Sequence, residues 1–185
     1  GKERCESYAC VEFRSGFAGD IPVEDGLADK AVSVQVFEYI DDISTSLDEM
    51  FRCVKPGGRV VISDLHFGTL VWVSDDQERM SRMQESWDQH FASGLVPEKL
   101  PGLIRDRGHV VDDVVPITLT DHHLKPDGMA LMMMHLMKQF AVSSGHFDAD
   151  TAQAWFDEQY SLARAGRFFF SMSQFVVVAT KAHGG

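Results

Sequence analysis

Between Asp29 and Asp64 the chain reads DKAVSVQVFEYIDDISTSLDEMFRCVKPGGRVVISD: a strand, a helix, a glycine turn and a second strand. That succession is a complete βαβ unit, and few folds accommodate one. Ala31–Val36 and Arg59–Ser63 are short apolar runs rich in β-branched residues, the pattern of strands covered on both faces. Between them Ile43, Leu47, Met50, Phe51 and Val54 recur at helical spacing and give one apolar stripe to lay on a sheet. Asp41 or Asp42 supplies the cap of that helix, and Lys55-Pro56-Gly57-Gly58 stops it and turns the chain. Such a unit is right-handed with parallel strands, so a ligand is expected beyond their carboxyl ends. Those ends are Val34-Gln35-Val36-Phe37-Glu38-Tyr39 and Asp64-Leu65-His66.

The flanking sequence carries further elements. Cys10–Arg14 alternates and predicts a short strand, followed by a loop over Ser15–Gly26 with Gly16, Gly19, Pro22 and Gly26 as punctuation. After the βαβ unit a loop is predicted over His66–Ser74, then helices over Asp75–Ala92 and Glu98–Arg107. Val110–Thr120 has the content of a strand, and Pro116 places it at an edge or a bulge. Ala130–Ser143, capped by Asp127, is apolar nearly all round and is expected to be buried on several sides. A helix over Thr151–Ala165 and a long strand over Phe168–Lys181 complete the chain. No repeat or charged linker divides it, so residues 1–185 read as a single domain.

Composition narrows the class. Hydrophobic residues make up 44 % of the 185, enough for a substantial core. No apolar run approaches the roughly 20 residues that span a bilayer, which argues against a membrane partner. The net charge of −11 argues against nucleic acid, whose phosphates need a basic face. The three cysteines, Cys5, Cys10 and Cys53, are odd in number and not at metal spacing, so a reduced, cytoplasmic setting is expected. Asp121-His122-His123 is no metal motif either, because adjacent histidines point apart on a strand.

The series Ile21-Pro22-Val23, Asp25-Gly26, strand, helix, Lys55-Pro56-Gly57-Gly58, strand resembles the small-molecule branch of the class I S-adenosylmethionine-dependent methyltransferases. Leu100–Arg107 resembles the helix that precedes the family's sixth strand, and the terminal strand its antiparallel seventh. The resemblance covers nearly the whole chain. It implies an α/β fold: a Rossmann-like sheet with helices on both faces, an antiparallel final strand and the N-terminal strands missing. The family's glycine-rich loop has no counterpart, since no Gly-x-Gly occurs, and the acidic residue that holds the ribose would lie before Gly1. Two βα units of roughly 30 residues each are thus absent, which makes the domain partial. With them gone, the strand at Ala31–Val36 is expected to expose an edge lined by Val32, Val34 and Val36. Either an upstream segment or a partner chain, such as a second copy in a homodimer, would cover it.

What the resemblance implies for the site follows residue by residue. S-adenosylmethionine is the implied cofactor and a small, hydrophobic molecule the implied methyl acceptor. Gly16-Phe17-Ala18 falls in register with the family's Gly-Asp-Ala, so Phe17 stands where an aspartate accepts from the adenine amino group. A charged hydrogen bond of about 1.5–3 kcal/mol is lost there. Face-on contact of Phe17 with adenine returns ~1 kcal/mol. A shorter loop would instead let Asp20 take that role. Phe17, Ala18, Val34 and Gln35 are the cofactor-binding candidates, and Glu38, Tyr39 and His66 the catalytic ones. Glu38 and Tyr39 would orient a substrate or accept a proton, though Glu38 equally suits a turn cap. His66, just past the second strand, is the best-placed general base by its ordinary pKa near 6.5. Trp72 either walls the pocket or packs its loop. A catalytically inactive scaffold of the same fold is the alternative reading, because half of the cofactor site has no counterpart.

Overall fold

The apolar runs of the βαβ unit pair side by side at one end of a mixed sheet. The computed structural model describes residues 2–5 and 8–183. β1 (Ala28–Val34) lies parallel to β2 (Val54–Trp72), with Ala31 opposite Val60 and Val34 opposite Ser63. β4 (Phe170–Thr180) runs antiparallel to β2, and β3 (Val110–Asp121) antiparallel to β4. The order across the sheet is therefore β1-β2-β4-β3. Pro116 is accommodated because β3 is an edge strand, as the sequence predicts.

Helices cover both faces and define two cores. α1 (Lys2–Cys5) is a single turn at the start of the chain. α2 (Ile43–Cys53) joins β1 to β2, and Asp42 caps it by accepting from the Thr45 backbone N–H at 2.9 Å and its hydroxyl at 2.6 Å. Its Leu47, Met50 and Phe51 pack with Val60, Ile62 and Val177 of the sheet and with Leu100 and Ile104 of α4 (Val96–Asp106). On the opposite face α3 (Gln77–Asp88), α5 (Met129–Ser143) and α6 (Ala149–Arg164) bury Met83, Met134 and Trp155 against Trp72, Phe170 and Met172.

Several sequence expectations are corrected. The Lys55–Gly58 turn is built into β2, which starts at Val54 rather than Arg59. Pairing jumps from Ala28–Val54 to Lys30–Arg59, so residues 55–58 bulge opposite Asp29. Gly57, at φ +75°, donates its N–H to Lys181 O, and Lys181 donates back to Gly58 O. β2 also continues through the predicted loop to Trp72, with an irregularity between His66 and Val71. Trp72 draws it inward: its ring is buried edge-on to Trp155 and Phe170, and its indole N–H donates to Gln159 Oε1 at 3.0 Å. Cys10–Arg14 is an exposed, irregular segment, because an alternating pattern forms a strand only against a neighbour and none of the described residues supplies one. α3 is shorter than predicted, and residues 89–92 leave it in a turn. Gly128, not Asp127, precedes α5 and gives no side-chain cap. α5 buries Ala130, Met133, Met134, Met137 and Ala141 but leaves Met132 and Leu136 exposed, so its apolar surface is only partly covered.

β1 presents the expected bare edge. Among the described residues no strand pairs with its outer side, and Val32 and Val34, on the face away from α2, are 65 % and 54 % exposed.

Candidate functional site

The carboxyl end of β1 meets the middle of β2, at Ser63 and Asp64, in a polar knot inside an otherwise apolar crevice. β1 stops at Gln35, which takes a left-handed conformation (φ 53°) while its N–H donates to Ser63 O at 2.8 Å. A non-glycine residue held there is strained, which is how active-site turns are often built. The next N–H, of Val36, donates to Asp64 Oδ1 at 3.0 Å. Phe37–Tyr39 then form one 3₁₀ turn, with Phe37 sunk into the α2 core. The Glu38 carbonyl accepts from the N–H groups of Ala92 and Ser93 at 2.9 and 3.1 Å, which ties the connection after α3 to this turn.

Glu38 and Asp64 form a buried carboxyl pair, 3 % and 1 % exposed. Glu38 Oε2 and Asp64 Oδ2 have no hydrogen-bond partner among the described residues. Two carboxyls in contact cannot both ionise cheaply, so the pair shares a proton. Burial, and then the hydrogen bond to Asp64 and its charge, push Glu38 up to about 8. Burial also raises Asp64, but hydrogen bonds from Glu38 and from the N–H groups of Val36, Phe37 and Glu38 oppose that rise. Glu38 is thus mostly neutral at pH 7. Sequence reasoning missed Asp64 as a site residue, although its place directly after the predicted strand Arg59–Ser63 was the available signal.

Beside the pair lies a cavity of about 130 Å³, walled by Gln35, Glu38, Tyr39 and Leu65 on the sheet side. Phe67, Trp87 and Phe91, with Met129, Met133 and Leu136 of α5, close the other side. Tyr39 packs its ring against His90 and Phe91, and burial raises the pKa of its phenol. Trp87 was absent from the sequence candidates. His66 is not part of this cavity: its Nε2 lies 3.2 Å from Glu98 Oε2 of α4, and its ring edges onto Phe175. Trp72 is a core residue.

A second cavity, of about 350 Å³, opens between α2, the Ala18–Val23 loop and β1, with Ala18, Ala31, Phe37, Ile40 and Met50 along it. An ion-pair clamp fixes this loop. Arg52 of α2 donates to the carbonyls of Ile21 and Val23 and to Asp25 Oδ1, while Glu49 accepts from Ile21 N–H at 2.9 Å. The Arg52 guanidinium, with that N–H, holds the Glu49 carboxyl down to about 2. The Ile21-Pro22-Val23 and Asp25-Gly26 motifs are the segment so gripped. Upstream, Asp20 N–H donates to Phe17 O in a tight turn that leaves Phe17 84 % exposed. Of the cofactor candidates, then, Ala18 borders the larger cavity and Gln35 the smaller, while Phe17 and Val34 project outward.

Residues 1–62 match the family model described as a methyltransferase domain. The strand order, with its antiparallel β4 between β2 and β3, agrees with that assignment. Residues 1–62 thus carry the methyltransferase family's signature, and the chain as a whole has the fold of the class I S-adenosylmethionine-dependent methyltransferases. A protein of transposon Tn4556 from Streptomyces fradiae, described as uncharacterised, is 31 % identical over 180 residues, covering 96 % of this chain and 50 % of that protein. A ubiquinone biosynthesis O-methyltransferase from Pseudomonas savastanoi pv. phaseolicola is 27 % identical over 124 residues, covering 64 % of this chain and 53 % of the enzyme. The chain thus spans about half the length of these two relatives. Among solved structures, the YcgJ protein of Bacillus subtilis superposes with a TM-score of 0.60 at 14 % identity, over 98 % of this chain and 75 % of that one, which shows the fold.

The larger cavity tests whether the residues suit the family's cofactor. Its walls are apolar, and Lys30 is the one charged side chain along it among the described residues. A flat, apolar group such as adenine fits there, between Ala18, Phe37 and Ile40. The Gln35 turn then lies between that cavity and the smaller one, where the reacting end of such a ligand would meet an acceptor.

Proposed function

We propose that the chain contributes the adenine-side wall and the acceptor pocket of a methyltransferase for a small, largely apolar molecule. The cavity beyond the carboxyl end of β1 and beside Leu65 and Phe67 of β2, walled by aromatic and methionine side chains, carries this reading. Ala18 would contact the adenine, with the outward-facing Phe17 turning over it only once the cofactor is bound, and the backbone of Val34 and Gln35 would meet the cofactor along the strand end. When bound, S-adenosylmethionine supplies a methyl group activated on its sulfonium. Displacement at that carbon asks the protein chiefly to align the acceptor and exclude water. Glu38 and Tyr39 face the acceptor and orient it. Below about pH 8 Glu38 holds a proton, so it positions rather than abstracts; above that pH it gains basicity. His66, engaged with Glu98, is left out of this arrangement.

The oxygen-methylating relative supports a small acceptor in outline. The free cysteines suit a reduced, cytoplasmic setting, and no described helix is long and apolar enough to cross a membrane. A second copy of the chain is the partner proposed for the bare edge of β1. Calorimetric titration of the chain with S-adenosylmethionine tests the main reading. Micromolar binding is expected, and no binding up to millimolar concentration overturns it.

A further inference from the structure

Phe67 and Phe91 belong to the walls of two cavities at once. They close one side of the small acceptor cavity, and they also line an outer pocket of about 320 Å³ with Asp88, Ala92, Ser93 and Leu95. Their rings are stacked on each other, with centroids 4.2 Å apart and 29° between planes. The main chain around them is fixed: Phe67 N–H donates to Gly94 O at 3.0 Å, and Ala92 and Ser93 donate to the Glu38 carbonyl. Both side chains are half-buried, so their rings can turn without disturbing that backbone. Size gives the reason to join the two spaces. At about 130 Å³ the inner cavity is comparable to the dry engineered cavity of about 150 Å³ that takes benzene, room for one ring. Small-molecule sites usually enclose about 300–1,000 Å³, a range this cavity reaches only when the outer pocket is added.

We propose that the Phe67–Phe91 pair is a movable partition within one acceptor site, and that the site takes a two-part molecule: an apolar ring in the inner cavity and a short chain ending in an ammonium group in the outer pocket. Leu65, Met129 and Met133 offer the ring apolar contact, and Met adapts to irregular shapes. Parting the rings forfeits about 0.5–1.5 kcal/mol of stacking, which a chain passing between them can offset by its own burial. Asp88 is the one charged side chain along the outer pocket among the described residues. It is the last residue of α3, where the helix dipole adds partial negative charge and a cation is favoured. Burial, and then the charge of Glu85, raise its carboxyl. Lys99 donates to the Ser93 hydroxyl at 3.1 Å but does not line the pocket, and Asp88, Glu85 and the helix end outweigh it. Naming this molecule the methyl acceptor rests on the methyltransferase reading; its binding does not.

Calorimetric titration of the chain with four phenyl compounds tests the inference. Benzyl alcohol fills the inner cavity alone, while straight-chain phenylbutanol, phenylbutylamine and phenylbutyrate carry ring and end group at opposite ends of a chain. Phenylbutanol should bind about ten-fold more tightly than benzyl alcohol, because each further buried methylene brings about four-fold against the cost of parting the rings. Phenylbutylamine should bind about five-fold more tightly again, and phenylbutyrate the most weakly of the three long probes. Ala92→Leu fills the outer pocket from an exposed position, so it should abolish the gain with length and leave benzyl alcohol unchanged. If that variant fails to fold, Leu95→Trp, at another exposed position of the pocket, takes its place. Asp88→Asn should equalise the amine and the alcohol. Phenylbutanol no tighter than benzyl alcohol, a gain that survives filling of the outer pocket, phenylbutyrate as tight as the amine, or no probe bound at millimolar concentration would each overturn the proposal. S-adenosylmethionine titrated separately distinguishes the two readings. Length and charge selectivity without cofactor binding sinks the methyltransferase reading alone, and cofactor binding without that selectivity sinks this one alone.

Discussion

Glu38 and Asp64 show how little of the site's chemistry belongs to either residue singly. The register that sets Val34 opposite Ser63 brings position 64 beneath the turn at 36–38, where the Val36 N–H donates to the Asp64 carboxylate. Glu38 then completes the cluster as a neutral donor. An acid whose folded pKa is raised stabilises the fold fully below its unfolded value, near 4.5, and that contribution is lost as pH rises through about 8. Wild-type stability should therefore fall between about pH 5 and pH 8 relative to Glu38→Gln, by at most about 5 kcal/mol. Urea unfolding of both proteins across that range gives the difference, and parallel curves would rule out a shared proton. Glu38→Gln keeps a donor to Asp64 and should cost less than about 1 kcal/mol below pH 5, becoming the more stable protein by pH 7, whereas Glu38→Ala should cost about 2–3 kcal/mol at low pH. The sequence could nominate Glu38 from its place after a strand. It could not show the partner, because the two residues are 26 positions apart and meet only once β1 and β2 are paired.

At the scale of elements, local chemistry was the legible part. Asp42 as cap, the Leu47–Met50–Phe51 stripe and Pro116 on an edge strand follow from neighbours in sequence, and the structure has them all. Features that depend on distant partners were not legible. Trp72 is strand rather than loop because Trp155 and Gln159, more than 80 residues away, hold it in the core. Cys10–Arg14 has the right alternation but no neighbour among the described residues. The Lys55–Gly58 segment is both at once, a helix stop that was readable and a bulge in β2 that was not. Its two glycines should fail differently. A Cβ at Gly58 would lie 2.8 Å from Asp29 O and 2.9 Å from Lys55 O, both backbone, so Gly58→Ala should force β1 and β2 apart and cost about 1–3 kcal/mol. Gly57→Ala meets the His183 ring, a movable side chain, but must hold φ near +75°, at about 1–2 kcal/mol. Thermal unfolding of the two variants measures this. If Gly58→Ala is neutral, the close approach across the bulge is not rigid.

Across the whole molecule, the asymmetry of the sheet matters most. β2 and β4 are paired on both sides and covered on both faces, and β3 is an edge made tolerable by Pro116 and by Asp112 and Asp113. β1 has no proline, and its charges, Asp29 and Lys30, sit at its start and leave the Val32–Val34 end bare. Its outer backbone groups are unpaired among the described residues, and Val32 and Val34 stand exposed on the side where α2 does not reach. Such an edge is a template for another strand. The site depends on the same strand, since Gln35 and the Glu38 turn continue directly from it, so whatever steadies β1 steadies the crevice. The 185-residue chain by itself should therefore self-associate through this edge. Sedimentation velocity over a range of concentrations should show a concentration-dependent dimer. Val32→Lys should shift it towards monomer: a lysine on an exposed edge repels its own copy and costs the fold little, since Val32 is 65 % exposed. A monodisperse monomer at high concentration, unfolding cooperatively, would show that β1 is stable uncovered and would remove the case for a second copy there.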